Sequence, residues 1–395
     1  MSFDVVTCST IQWQEKPPLN ELTKRPTGKL LIKPSVIYLM IKSHFMEENM
    51  KKKRNTYKVF IGLFLLLILV MVTASVVGAA NVRIIDSFKI FLSHIPSIGN
   101  SIDLSGVPAP HITIISSIRL PRILLAFLVG YGLSVVGVAF QGMLKNPMAD
   151  PFIIGTSSGA ALGAAIAILL KLNTAFLGMG FISVFAFGGA LVATLIVYNL
   201  AKIKSKVPVT TLLLAGVATG QFFTAIMSFI MVISSKDITS IVFWTMGSFA
   251  SRGWNHVKIA FLPIFIGTII LYIFAKDLNL LLLGEETAEN MGVEVEKTKK
   301  VILVTSAFIT AVAVSVSGII GFVGLIIPHM TRMMISADNR ILMPASGLVG
   351  GIFLIIVDTF ARTIISPTEV PVGIITALAG GPFFIYLLRT TKKMI

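Results

Sequence analysis

KKKRNTYKVFIGLFLLLILVMVTASVVGAA, residues 51–80, places a cluster of cations directly before an apolar run from Val59 to Ala80. At 1.5 Å per residue such a run reaches across a hydrocarbon core of about 30 Å. It exceeds the apolar region of a signal peptide, so it reads as an uncleaved first span with its basic flank on the inner side. Outward from this stretch the chain divides in two. Residues 1–49 carry Pro17, Pro18, Pro26 and Pro34, scattered charge and no sustained helical period. The expectation is an N-terminal extension outside the fold, disordered or preceding a true start at Met50 or Met46, followed by a transmembrane domain over 50–395.

Nine further apolar segments follow the first: Ile123–Leu144, Phe152–Leu170, Leu177–Leu200, Val209–Ile233, Ile259–Ala275, Val301–Ile320, Phe322–Met334, Ile341–Phe360 and Val372–Leu388. The predicted fold is an all-α membrane protein of about ten transmembrane helices. Phe322–Met334 is too short for a full crossing and carries Pro328 and His329, which predicts a half-length helix buried within the bundle. Only 13% of residues are charged and 55% are hydrophobic, against about 25% charged in soluble domains. A water-soluble fold is excluded on that ground, and the mean hydropathy of +0.89 agrees.

The formal charge of +15 sits in short clusters at span ends and not on a continuous surface, so it reads as membrane topology and not as a nucleic-acid site. With the N-terminus inside, Lys145, Lys202, Lys204, Lys206, Lys276, Lys297, Lys299, Lys300, Arg332 and Arg340 fall on the inner side, whereas the outer loops hold fewer cations. Both termini are then cytoplasmic in a cell membrane. The single cysteine, Cys8, excludes an internal disulfide framework and a cysteine-based zinc site.

Several motifs carry more than hydropathy. Gly155, Gly159 and Gly163 recur every fourth residue and lay a smooth stripe on one helix face, for helix packing or a pathway wall. Gln141, Lys145, Asn146, Pro147 and Asp150 close the second span with polar groups able to satisfy freed backbone. His329 and Asp358 are the ionisable groups nearest membrane depth; both read as structural polar groups, with Asp358 and Arg362 spaced to pair at i, i+4. The loop Glu285, Glu286, Ala288, Glu289, Met291, Gly292 predicts a short helix ended by glycine, with apolar residues suited to a cytoplasmic partner. The chain has no phosphate-binding Gly-x-x-x-x-Gly-Lys-Ser/Thr loop, no His-Glu-x-x-His, and no paired carboxylates in its spans, so neither a nucleotide engine nor a catalytic site is legible. No cofactor or metal site is expected in the chain.

From about Met50 onward the chain resembles the permease subunits of type II ABC importers, the iron-siderophore, haem and cobalamin family. The matching phrases run in order: Arg119-Leu-Pro-Arg122; Gln141 to Pro151 into Gly155-Thr-Ser-Ser-Gly; Gly284-Glu-Glu-Thr-Ala; Gly318 to Arg332; Asp358 to Arg362; and Glu369-Val-Pro-Val-Gly. The loop Ser336-Ala-Asp-Asn-Arg340 departs from the family's usual Gly-x-Asp-His-Arg. The resemblance implies a homodimer with the path between protomers, two ATPase subunits that use ATP and Mg, an extracytoplasmic substrate-binding protein, and membrane lipid around the whole. It implies that Arg119, Arg122 and Arg362 dock the binding protein, and that Glu285 to Gly292 is the ATPase coupling helix. The implied cargo is a metal chelate, an iron siderophore first, then cobalamin or haem. The competing reading is a stand-alone secondary transporter or channel.

Overall fold

Ten helices coincide with the ten predicted segments in the computed structural model, which describes residues 22–24, 30–32, 56–78, 82–94, 99–172, 175–176, 179–204 and 206–391. Two compact units divide the chain at Val59 and Phe60. The first contains a hairpin of Leu22–Lys24 with Leu30–Ile32, and the rest of the expected extension over 1–49 lies outside the described residues. Fourteen helices are described. They are α1 Thr56–Val76, α2 Ile84–Ser93, α3 Ala109–Met143, α4 Thr156–Leu169, α5 Phe181–Ala201, α6 Val209–Ile233, α7 Ile238–Thr245 and α8 Trp254–Ile273. The rest are α9 Ala275–Leu282, α10 Glu285–Asn290, α11 Val295–Ser317, α12 Val323–Met334, α13 Asn339–Ala361 and α14 Val372–Thr391. Seven of them, α1, α3, α5, α6, α8, α11 and α13, are long and apolar enough to cross a membrane. Of the others among the ten segments, α4 and α12 have 14 and 12 residues, and the apolar part of α14 runs over Val372–Tyr386.

Burial sorts the long helices into a core and a sheath. The apolar windows of α3, α11 and α13 are 83%, 78% and 67% buried, whereas that of α1 is 17% buried. The sheath helices turn Phe222, Phe229, Phe261, Phe265 and Leu65 outward. A continuous jacket of exposed aromatic and aliphatic side chains suits lipid and no aqueous surface. Core helices meet backbone to backbone: a Cβ on Gly137 of α3 would collide with the Gly324 carbonyl of α12, and one on Gly324 would strike Pro151. Short α12 is therefore wedged between α3 and the loop after it, which is where a half-length helix at membrane depth can be tolerated.

The helix α3 fixes the two ends of the bundle. Its uninterrupted α-helical stretch, the 24 residues from Leu120 to Met143, spans about 36 Å at 1.5 Å per residue. Arg122 near its start pairs with Asp358 near the end of α13. Gly142 near its finish packs on Leu278 of α9. One end of the bundle thus holds the arginines and the other holds α9 and α10.

Candidate functional site

At the arginine end, elementary helix chemistry explains what two of the guanidinium groups do. The last four carbonyls of a helix have no intrahelical donor and carry the negative end of its dipole. In α1 the Thr73 carbonyl accepts Val77 N–H at 3.0 Å. The Ser75 and Val76 carbonyls accept Arg119 Nη1 at 2.7 and 2.8 Å. Ala74 accepts from Arg362 Nη2, which also donates to Thr359 Oγ1 at 3.3 Å. Arginines from α3 and from the end of α13 therefore complete the C-terminal cap of α1, a helix that side-chain burial alone holds weakly.

Arg122 is committed differently. Its Nε and Nη2 fork onto Asp358 at 2.8–3.1 Å, and its Nη1 reaches both oxygens of Glu369 at 2.9 and 3.0 Å. The side chains of Arg122 and Asp358 are 8% and 2% exposed. This corrects the expected i, i+4 pairing of Asp358 with Arg362: the carboxylate instead takes a partner 236 residues away, because the planar fork of Arg122 satisfies both its oxygens at once. Glu369, which the sequence singled out only within a matching phrase, supplies the second carboxylate. The structure does bring Arg119, Arg122 and Arg362 to one end, as expected, but turned inward, at 4%, 6% and 7% exposure.

The opposite end is built around α10. Gly284 precedes it with φ +126° and Gly292 follows with φ +89°. Val293 N–H donates to Ala288 and Gly292 N–H to Glu289, at 3.0 and 2.9 Å. That pair of bonds is a Schellman ending, which needs a left-handed residue where Gly292 stands. Ala288 is fully buried, while Leu283 and Met291 on either side are 65% and 60% exposed. Glu285 accepts Lys299 Nζ at 2.7 Å, and Glu296 accepts it at 3.3 Å. On the other flank, Asn279 of α9 donates to Asp338 at 2.7 Å and accepts Asn339 N–H at 2.9 Å, tying α9 to the start of α13. The Arg340 guanidinium hydrogen-bonds Asp338 and holds its carboxyl down, to about 2.

The remaining predicted residues fall between these ends. Gly159 and Gly163 face α5, where Cβ atoms would collide with the Gly189 and Phe185 carbonyls; Gly155 adopts φ +78° before α4. Gln141 donates to the Leu325 carbonyl at 3.1 Å, linking α3 to α12. Asn146 Oδ1 accepts Met148 N–H at 2.9 Å within the loop. Burial pushes the Asp150 carboxyl up to about 6 although Phe152 N–H donates to it. His329, expected as a structural hydrogen-bonder, leaves its buried Nδ1 without a partner among the described residues. No group of three or more metal-ligating side chains occurs among the described residues.

With this geometry in place, residues 65–390 match the model of the FecCD transport family. The chain belongs to that family. It is 45% identical over 284 residues to the cobalamin import permease BtuC of Halobacterium salinarum, covering 72% of this chain and 75% of that one. It is 40% identical over 279 residues to the hemin transport permease HmuU of Yersinia pestis, covering 70% and 83%. A solved structure described as an inward-facing metal-chelate type ABC transporter superposes with a TM-score of 0.69 at 32% identity, over 84% of this chain and 99% of that one. This FecCD-family chain is thus a multi-pass ABC transport permease and not an enzyme.

Proposed function

We propose that this FecCD-family chain, as a homodimer with two cytoplasmic ATPase subunits and an extracytoplasmic binding protein, imports a metal chelate through the cell membrane. The observation that carries the reading is α10. A six-residue helix, bounded by glycine turns and flanked by the exposed Leu283 and Met291, gives a partner an apolar handle on a chain with no nucleotide-binding loop. That end is cytoplasmic in this reading and the arginine end faces outward.

A stand-alone carrier driven by an ion gradient would need acidic relay groups at membrane depth. Among the described residues the long spans bury one carboxylate, Asp358, and Arg122 neutralises it. The alternative is disfavoured accordingly. For the cargo, similarity to permeases named for cobalamin and hemin supports testing both beside the iron siderophore.

Docking of a binding protein at the arginine end proceeds by exchange in this proposal. Partner carboxylates take over donors that Ala74, Ser75 and Val76 hold in this structure. Charged acceptors bind guanidinium more strongly than carbonyls do, which supplies the driving force. Arg122, already held by two carboxylates, is the least available of the three.

The test is uptake of radiolabelled cyanocobalamin, hemin and a ferric siderophore by liposomes containing the permease with its ATPase, with and without the binding protein. Uptake of one of them that requires both Mg-ATP and the binding protein is expected. Uptake by the permease alone without ATP overturns the proposal in favour of the carrier.

A further inference from the structure

We infer that Lys299 is a positioning residue that makes α10, α11 and the start of α6 move as one body, an inference that rests on the reading of α10 as the ATPase-facing helix. Lys299 lies one turn into α11 and is 6% exposed. An ammonium so buried needs its donors matched. One bond goes to Glu285 Oε2, the first residue of α10, at 2.7 Å, and another to Glu296 Oε1 at 3.3 Å. The second oxygen of Glu296 accepts Val207 N–H at 3.1 Å, two residues before α6 begins at Val209. A continuous run of charge-assisted bonds therefore joins the start of α10 to the first turns of α11 and to the entry of α6.

The covalent links cannot do this. The chain enters α10 through Gly284 and leaves it through Gly292, both at positive φ, so the peptide connections are turns and not extensions of a helix. Ala288 seats the middle of α10 by its methyl alone. A push on Leu283 or Met291 would tilt α10 about that seat unless something held its first turn. Lys299 does, and it does not let go cheaply, because separating it from Glu285 and Glu296 leaves a buried charge uncompensated. Movement then passes to α11, a core helix, and to α6, a sheath helix, together, which is the two-element arrangement that rigid-body switching uses.

The experiment uses the complete assembly of permease, ATPase subunits and binding protein in liposomes, reading Mg-ATP hydrolysis with and without the binding protein. Lys299→Met should still bind the ATPase and keep its basal hydrolysis, while stimulation by the binding protein falls by about fivefold or more, the lower end of ordinary allosteric coupling. Lys299→Arg should restore most of the stimulation, since it keeps a charged donor at that place. Glu296→Gln, which preserves shape, provides an independent arm and should lower stimulation in the same direction. Wild-type stimulation in an assembled Lys299→Met or Glu296→Gln variant overturns the inference, as does failure of both variants to assemble, which would reduce the contact to a role in folding. Failure of the wild-type chain to bind an ATPase at all overturns the reading of α10 instead.

Discussion

Both ends of the bundle bury cations, and they do so for opposite ends of energy and access. At the arginine end, Arg119 and Arg362 spend their donors on backbone carbonyls of α1, and Arg122 sits between two carboxylates of the same bundle. At the α10 end, Lys299 is as buried, but its partner Glu285 is 42% exposed and lies on a helix whose flanks are bare. The first arrangement closes upon itself. The second reaches from the core to a surface that a partner can touch. A buried charge is thus an internal brace or a transmission element according to where its counter-charge sits.

The largest effect should come from breaking the brace. Arg122→Leu leaves Asp358 buried and unpaired, for which about 3–5 kcal/mol of destabilisation is ordinary. Size-exclusion profiles after heating in detergent should show early loss of folded protein. Arg122→Met with Asp358→Leu should recover much of that loss, because it removes both charges. A mild phenotype in the single variant would mean that water reaches Asp358.

Next come the caps. Arg362→Ala and Arg119→Ala each remove hydrogen bonds from a charged donor, roughly 1.5–3 kcal/mol by general experience. The loss should be local, with faster amide hydrogen exchange near the end of α1 and unchanged exchange in α11. Gly292→Ala tests the other end by straining a φ of +89°, and about 1 kcal/mol of stability should be lost. Thermal melting checks this, and an unchanged melt would mean that α10 ends differently.

The smallest effect concerns the half-exposed pair of Asp338 and Arg340. The Asp338 carboxyl titrates near 2 instead of its ordinary 3.8, so it stabilises the folded state above pH 4 and loses that contribution as pH falls through 2. Because Arg340 is 53% exposed, solvent and salt screen the pair, and Asp338→Asn should cost less than about 1 kcal/mol at neutral pH. Acid titration of stability should lose a small step below pH 4 in that variant.

Hydropathy made the ten apolar segments legible, because a helix at membrane depth is apolar whether it faces lipid or the bundle core. The half-length α12 and the glycine-ended α10 were legible for equally local reasons, a proline-bearing short run and a glycine stop. Contacts between distant residues were not. The i, i+4 rule offered Arg362 to Asp358, and the guanidinium of Arg122 won by geometry that no local spacing encodes. Helix α2 was missed because Asp86 and Lys89 interrupt its apolar pattern. Lys299 was read only as one of many inner cations, although Glu296 three residues before it was a visible hint. The inward turn of the arginines was invisible for the same reason: position along a span says which end a residue reaches, and nothing about which way it faces.

The cap of α1 also sets a schedule. Arg119 is made 44 residues after Ser75, but Arg362 follows Ala74 by 288. At roughly 5–20 residues per second of synthesis, the nascent first span waits on the order of 15–60 s for its final donor. During that interval the Ala74 carbonyl goes without this donor, and a long Leu- and Val-rich sequence is what lets the first span stay helical in lipid meanwhile.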